Sequence, residues 1–258
     1  MPFEPVVLFF VLGAAAGLLR SDLKIPGSIY EFLSIYLLLA IGLKGGVKLA
    51  EHPLGEIALV SLVVVVVAAA IPLIAFPALR SLGGLSRADA GSIAGHYGSV
   101  SVVTFSVAVA FLSKRAIPYE GYLIVFLVLL EMPALIIGVI LAKHGSGPVR
   151  WGKMLHEVFF GKSILLLTGG LIIGYLAGPE GIKPLDALFF DLFKGMLALF
   201  LLEMGLVAST RIAELKTYGA FLLGFAVVMP MIAACIGILT GTLLGLTLGG
   251  NLLLATLY

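Results

Sequence analysis

An all-α polytopic membrane protein is the fold class the sequence predicts, and three observations predict it. Of 258 residues, 61% are hydrophobic and only 12% charged, whereas soluble globular chains carry about 25% charged residues. Mean hydropathy is +1.19. Several windows reach the roughly 20 apolar residues that cross a hydrocarbon core, and a helix-end motif of the first half returns in the second. The formal net charge of +2 is too small for a nucleic-acid-binding surface, and no block of five or six like charges occurs. Nucleic acid is therefore excluded as a partner class. Cys235 stands alone in an apolar run, so neither a disulfide framework nor a Cys-based metal site can be drawn.

The spans run in order along the chain. Residues 5–19 form a short first helix; the stretch has signal-peptide length but no basic n-region or small-x-small cleavage site. A second helix runs near 27–43. The clearest span is 56–79, uncharged from Ile57 to Leu79 between Glu56 and Arg80, with Pro72 and Pro77 loosening its second half. The fourth, 88–112, carries Gly and Ser near its start, and the fifth, 118–142, is interrupted only by Glu131. Helices near 162–178, 185–207 and 216–246 come next, and the last residues open another. The connection 143–162 holds Lys143, Arg150, Lys153 and Lys162, which places it in the cytoplasm and the N-terminus outside. On that threading inner connections hold ten Lys/Arg and outer ones five.

The repeat begins at Leu39-Ala40-Ile41-Gly42-Leu43, followed by Lys44 through Glu51. Its echo, Leu202-Glu203-Met204-Gly205-Leu206 followed by Val207 through Glu214, lies 163 positions later. A Pro-bearing apolar span succeeds each copy, with Pro72 in one and Pro230 in the other. Five spans per repeat force the second copy to insert upside down, the inverted-repeat signature of secondary transporters. Residues 250–258 fall where the fourth span begins, so the second repeat is expected to be truncated in this chain, with about two further spans to come in the complete fold.

Gly91-Ser92-Ile93-Ala94-Gly95-His96-Tyr97-Gly98-Ser99-Val100-Ser101-Val102-Val103-Thr104 is the most polar run inside a span. Its glycines weaken the helix by about 1 kcal/mol each relative to Ala, and the hydroxyls of Ser99, Ser101 and Thr104 can satisfy freed backbone groups. A break near Gly98 is expected. Its second half would offer N–H groups and a positive dipole end to an anion, and its oxygens would offer hard ligands to a small cation such as sodium. The plain alternative is close helix packing through small residues. Glu131, mid-span beside Pro133, is a functional candidate as an intramembrane carboxylate, the alternative being hydrogen bonding to groups that Pro133 frees. Glu203 is expected to snorkel from a helix end. His96 reads as a packing residue, and Lys44 and Lys48 as a solvated cap rather than an anion lure. His52, His144 and His156 form no metal spacing. There is no phosphate loop, nucleophile elbow or zinc motif.

These residues together resemble the sodium-dependent bicarbonate transporters of the SbtA type. The resemblance rests on Ile25-Pro26-Gly27-Ser28-Ile29-Tyr30-Glu31, Ala40-Ile41-Gly42-Leu43-Lys44-Gly45-Gly46, Gly95-His96-Tyr97-Gly98-Ser99-Val100-Ser101 with Thr104, Glu131-Met132-Pro133-Ala134, and Phe200-Leu201-Leu202-Glu203-Met204-Gly205-Leu206. It implies ten spans in two inverted five-helix repeats, a homotrimer, and an elevator movement of a core against a scaffold. Scaffold helices one and two would occupy 1–51 and helices six and seven 163–214. Core helices three to five would occupy 56–142, with the fourth broken near Gly98, and 216–258 would hold core helix eight and the start of nine; 143–162 is the cytoplasmic linker. By carry-over, Gly98, Ser99, Val100 and Ser101 would bind bicarbonate, and Ser99, Ser101, Thr104 and Glu131 would hold sodium. Sodium is the coupling ion and no cofactor or transition metal is implied. Membrane lipid surrounds the chain in a bacterial plasma (inner) membrane, and a PII-like protein is the implied cytoplasmic regulator.

The leading expectation is thus sodium-dependent symport of bicarbonate, without enzymatic activity. Its alternatives are sodium-coupled transport of another small anion, an anion-sensing membrane receptor, and an intramembrane enzyme using His96 and Glu131.

Overall fold

A computed structural model describes residues 5–143, 152, 156, 159–211 and 219–258, and every regular element among them is helical. Arg150 and Lys153 of the predicted cytoplasmic linker, His144, and Lys216 lie outside the described residues. The helices are α1 (Pro5–Leu18), α2 (Gly27–Ala50), α3 (Leu54–Ser81), α4 (Arg87–Tyr97) and α5 (Val102–Lys114). They continue with α6 (Leu123–Lys143), α7 (Lys162–Ile182), α8 (Phe193–Arg211), α9 (Gly219–Leu243) and α10 (Leu248–Leu257). Seven stretches among the described residues are long and apolar enough to cross a membrane, with α4 and α5 together forming one of them.

The ends of α2 and α8 differ from expectation, α8 spanning Phe193–Arg211 against an expected 185–207, whereas the break in α7 falls where the expected sixth span ends. α2 does not stop at Leu43 but runs on to Ala50, because Gly45 and Gly46 are buried helical residues rather than a turn. α7 is interrupted at Gly178, whose φ of +62° is open to glycine and costly for other residues. Pro179 then restarts a turn. A 3₁₀ turn at Lys183–Leu185 and a π turn at Ala187–Asp191 lead into α8.

Two helix pairs pack backbone to backbone. Gly42 and Gly46 of α2 face Leu167, Gly170, Leu171 and Gly174 of α7, where a Cβ on Gly42 would stand 2.5 Å from the Leu167 carbonyl oxygen. Gly13 and Gly17 of α1 face Leu202, Leu206 and Ser209 of α8, and Gly205 in turn faces Phe10 and Ala14. In lipid, apolar side chains gain little by leaving their neighbours, so close van der Waals contact through small residues decides which helices pair. The geometry exchanges the halves: the second helix meets α7, the first meets α8, and Gly42 and Gly205 lie 163 residues apart.

The remaining helices form a second group. α4 lies along α6 with Gly91 against Ala142, Gly95 against Gly138 and Gly98 against Ala134. Val64 and Ala68 of α3, Phe105 and Leu112 of α5, Phe126, Leu127 and Leu130 of α6, and Leu253 and Leu254 of α10 make one buried cluster, which also takes in Leu38 and Ile41 of α2 and Leu167 of α7. A second cluster joins the two groups: Leu33 and Leu37 of α2 and Leu197 and Leu201 of α8 pack with Val103 and Val107 of α5. The seam between the groups therefore runs directly beside the start of α5.

Candidate functional site: a broken helix beside the seam

α4 begins firmly and ends early. The Ser86 hydroxyl accepts the Asp89 N–H at 3.1 Å and donates to the Asp89 carboxylate at 2.6 Å, a cap at a helix start. Eleven residues later the helix stops at Tyr97, with Gly98 as its C-cap. Ser101 then adopts extended backbone and caps α5, accepting from the Thr104 N–H at 3.2 Å and the Thr104 hydroxyl at 2.9 Å. Pro72 closes the other side of the break, since a Cβ on Gly98 would lie 2.5 Å from its ring.

The break leaves polar backbone unpaired. The N–H groups of Gly98 and Ser99 bond the Ala94 and His96 carbonyls. Among the described residues those of Val100, Ser101, Val102 and Val103 find no acceptor, and the carbonyls of Tyr97, Gly98, Ser99 and Val100 find no donor. Donors converge on the start of α5, where the helix dipole is positive, while hard oxygens gather at the end of α4. Gly98 is buried, Ser99 and Val100 are half-buried, and Ser101 and Thr104 are exposed. Thr104 also lines a cavity of about 260 Å³ with Val103 and Val107 of α5, Val7 and Phe10 of α1, and Leu201 of α8. That cavity lies on the seam.

Gly98, Ser99, Val100, Ser101 and Thr104 are thus brought together by the break itself. Glu131 arrives from α6. Ala134 touches Gly98, and Glu131 lies three residues before it, about one helical turn along α6 on a neighbouring part of the same face. Glu131 is half-buried and has no hydrogen-bond or ion-pair partner among the described residues. Among the described residues no hydrogen bond joins it to Ser99, Ser101 or Thr104. His96 is exposed, its Nδ1 2.9 Å from the Ser92 carbonyl oxygen, so its ring bonds its own helix while its carbonyl accepts the Ser99 N–H.

Glu203 departs from the snorkelling expectation. α8 runs to Arg211, which leaves Glu203 mid-helix with Oε2 buried and without a hydrogen-bond partner among the described residues. The polar run after it prolongs the helix instead of ending it, because the hydroxyls of Ser209 and Thr210 bond back to the Leu206 and Val207 carbonyls at 2.6 and 2.8 Å.

Sequence reasoning missed one supporting contact. The Glu120 carboxylate, between α5 and α6, accepts the Thr247 N–H at 2.7 Å and its hydroxyl at 3.1 Å. Thr247 in turn caps α10 by accepting the Gly250 N–H at 3.1 Å. Nothing local signals a contact across 127 residues. The cap itself was legible: Gly84 and Gly245, with φ of +63° and +73°, each stand two residues before a capping hydroxyl, Ser86 or Thr247. A long Pro-bearing helix precedes each turn.

Seven described stretches long and apolar enough to cross a membrane, one of them broken at polar residues, define an integral membrane protein. The model of the Na+-dependent bicarbonate transporter superfamily matches residues 5–258, and the chain belongs to that family. No individually curated protein matches it.

Proposed function

We propose that the protein is a sodium-coupled symporter that takes up bicarbonate, with the α4–α5 break as its substrate site. The observation that carries this reading is the set of unpaired backbone groups at the break. Free N–H groups of Val100, Ser101, Val102 and Val103 suit a small oxyanion, and the Ser99, Ser101 and Thr104 hydroxyls with the Glu131 carboxylate suit sodium. Placing the two ions side by side offsets the desolvation of each charge. Each then strengthens the other's binding, and this reciprocity suppresses an uncoupled leak.

Movement is proposed as sliding of α3–α6 with α9 and α10 against the paired α1–α8 and α2–α7. Support comes from the two groupings and from the seam cavity beside Thr104. The exchanged helix pairs and matched caps support inverted repeats.

The test is uptake of labelled bicarbonate into proteoliposomes holding the full-length protein, with and without an inward sodium gradient. Accumulation that requires sodium is the expected result. Binding of bicarbonate without accumulation would identify a receptor instead.

A further inference from the structure

Three lysines lie on the part of α2 and α8 where α2 packs against both α8 and the start of α6. Lys44 and Lys48 lie one turn apart in the last part of α2, and Lys194 is the second residue of α8. Leu37 and Ala40 of α2 pack with Leu197 and Leu201 of α8, and continuing that antiparallel register brings Lys194 toward Lys44. The stem of Lys48 lies over Gly121, just before α6, and Gly45 packs against Ile124 of α6. Two of these lysines thus stand on α2 at its contact with the α6 group, and the third stands on α8.

Their charges are poorly compensated. Lys48 bonds the Glu51 carboxylate at 2.7 Å. Among the described residues Lys44 and Lys194 have no ion-pair partner, and Asp191, three residues before Lys194, makes no ion pair with it. One of the three ammonium groups therefore has a carboxylate partner among the described residues. A solvated helix cap does not explain Lys44, because the helix continues past it to Ala50 and its neighbours Leu43, Gly45, Gly46 and Val47 are all buried while Lys44 itself is exposed. Like charges clustered on low-dielectric walls focus a positive potential, which raises the local concentration of anions.

We propose that Lys44, Lys48 and Lys194 form a cationic mouth at the outer end of the seam, which captures the anionic substrate before it reaches the broken helix. This rests on the transport reading and on the N-terminus-outside threading, which puts the C-terminal end of α2 on the outer face. The lysines act on encounter. Substitution therefore changes KM and its ionic-strength dependence, and leaves kcat alone.

The experiment measures labelled-bicarbonate uptake by right-side-out membrane vesicles carrying the full-length protein, at low ionic strength and at an ionic strength where the screening length falls to about 5 Å. The double variant Lys44→Gln with Lys194→Gln should raise KM about fivefold at low ionic strength and flatten its salt dependence, with kcat unchanged. Lys44→Arg with Lys194→Arg should retain both wild-type properties, which separates charge from shape. An unchanged KM in the Gln variant, a fall in kcat alone, or the same KM change for transport from the opposite face would overturn the mouth while wild-type uptake still stood. Wild-type vesicles without sodium-dependent uptake would instead overturn the transport reading and this inference with it.

Discussion

Two of the glycine-rich helix contacts in this molecule have opposite results. Between α2 and α7, Gly42 and Gly46 meet Gly170 and Gly174, and α2 stays helical through its glycines to Ala50 while α7 holds to its interruption at Gly178. Between α4 and α6, Gly91 and Gly95 make a similar approach, yet the helix ends within a turn at Tyr97. Glycine content alone does not separate the two. The residues just after each glycine do: Gly46 leads into Val47-Lys48-Leu49, which offer the backbone no competing partner, whereas Gly98 leads into Ser99-Val100-Ser101. The Ser101 hydroxyl then starts a new helix instead of extending the old one. Close packing and helix breaking are thus separable functions, and only the second leaves polar backbone free in a membrane.

The largest expected effect lies on the packed side of that comparison. A Cβ on Gly46 would overlap the Leu171 carbonyl oxygen and lie 2.6 Å from the Tyr175 nitrogen, both backbone atoms that cannot swing aside. Gly46→Val should therefore destabilise the α2–α7 pair by about 3 kcal/mol or more. Loss of monodisperse protein on size-exclusion chromatography checks it, and normal assembly of this variant would show that the pair tolerates separation.

A smaller and more selective effect is expected at the break. Glu131→Gln keeps the size of the side chain and removes its charge one turn from the Gly98 contact. It should raise the sodium concentration for half-maximal uptake about tenfold, equivalent to about 1.4 kcal/mol, and change the bicarbonate KM less. Equal shifts in both would make Glu131 a support for α6 at Pro133 rather than a sodium ligand.

These two regions were not equally legible in sequence. The break could be anticipated because its causes are local: glycines, hydroxyls and a capping residue lie within one run. Spans such as α3 were plain because charged residues flank an uncharged stretch. The partners of Gly42 and Gly46 were hidden, since spacing shows that a helix has a small-residue face but not which helix will fill it. Lys44-Gly45-Gly46 read as a helix end and Val207-Ala208-Ser209-Thr210 as the end of another. Both failed for one reason: tertiary packing in the first case, and hydroxyl-to-carbonyl bonds in the second, satisfied a backbone that local propensity would release. The misplaced end of α8 also misplaced Glu203. The Glu120–Thr247 bond was unreadable because it joins two turns whose proximity exists only in the folded chain.

The smallest expected effect is also the one that most sharply tests what the break is for. Ser101 and Ser86 are both capping residues whose hydroxyls accept the N–H three positions on. Replacing either by Ala should cost a similar stability, about 1 kcal/mol. If capping were all that Ser101 did, the two variants would behave alike. Ser101 also places the unpaired N–H groups of Val102 and Val103 and holds the Thr104 hydroxyl beside the seam cavity, whereas Ser86 only starts α4. Ser101→Ala should therefore raise the KM for bicarbonate or sodium about fivefold, close to 1 kcal/mol of binding, and Ser86→Ala should leave both constants unchanged. Ser99→Ala, which removes a hydroxyl without removing a cap, should move the same constants as Ser101→Ala with no loss of thermal stability. Matching kinetics in the Ser86 and Ser101 variants would reduce the break to a packing feature and move the search for the substrate site to the seam cavity.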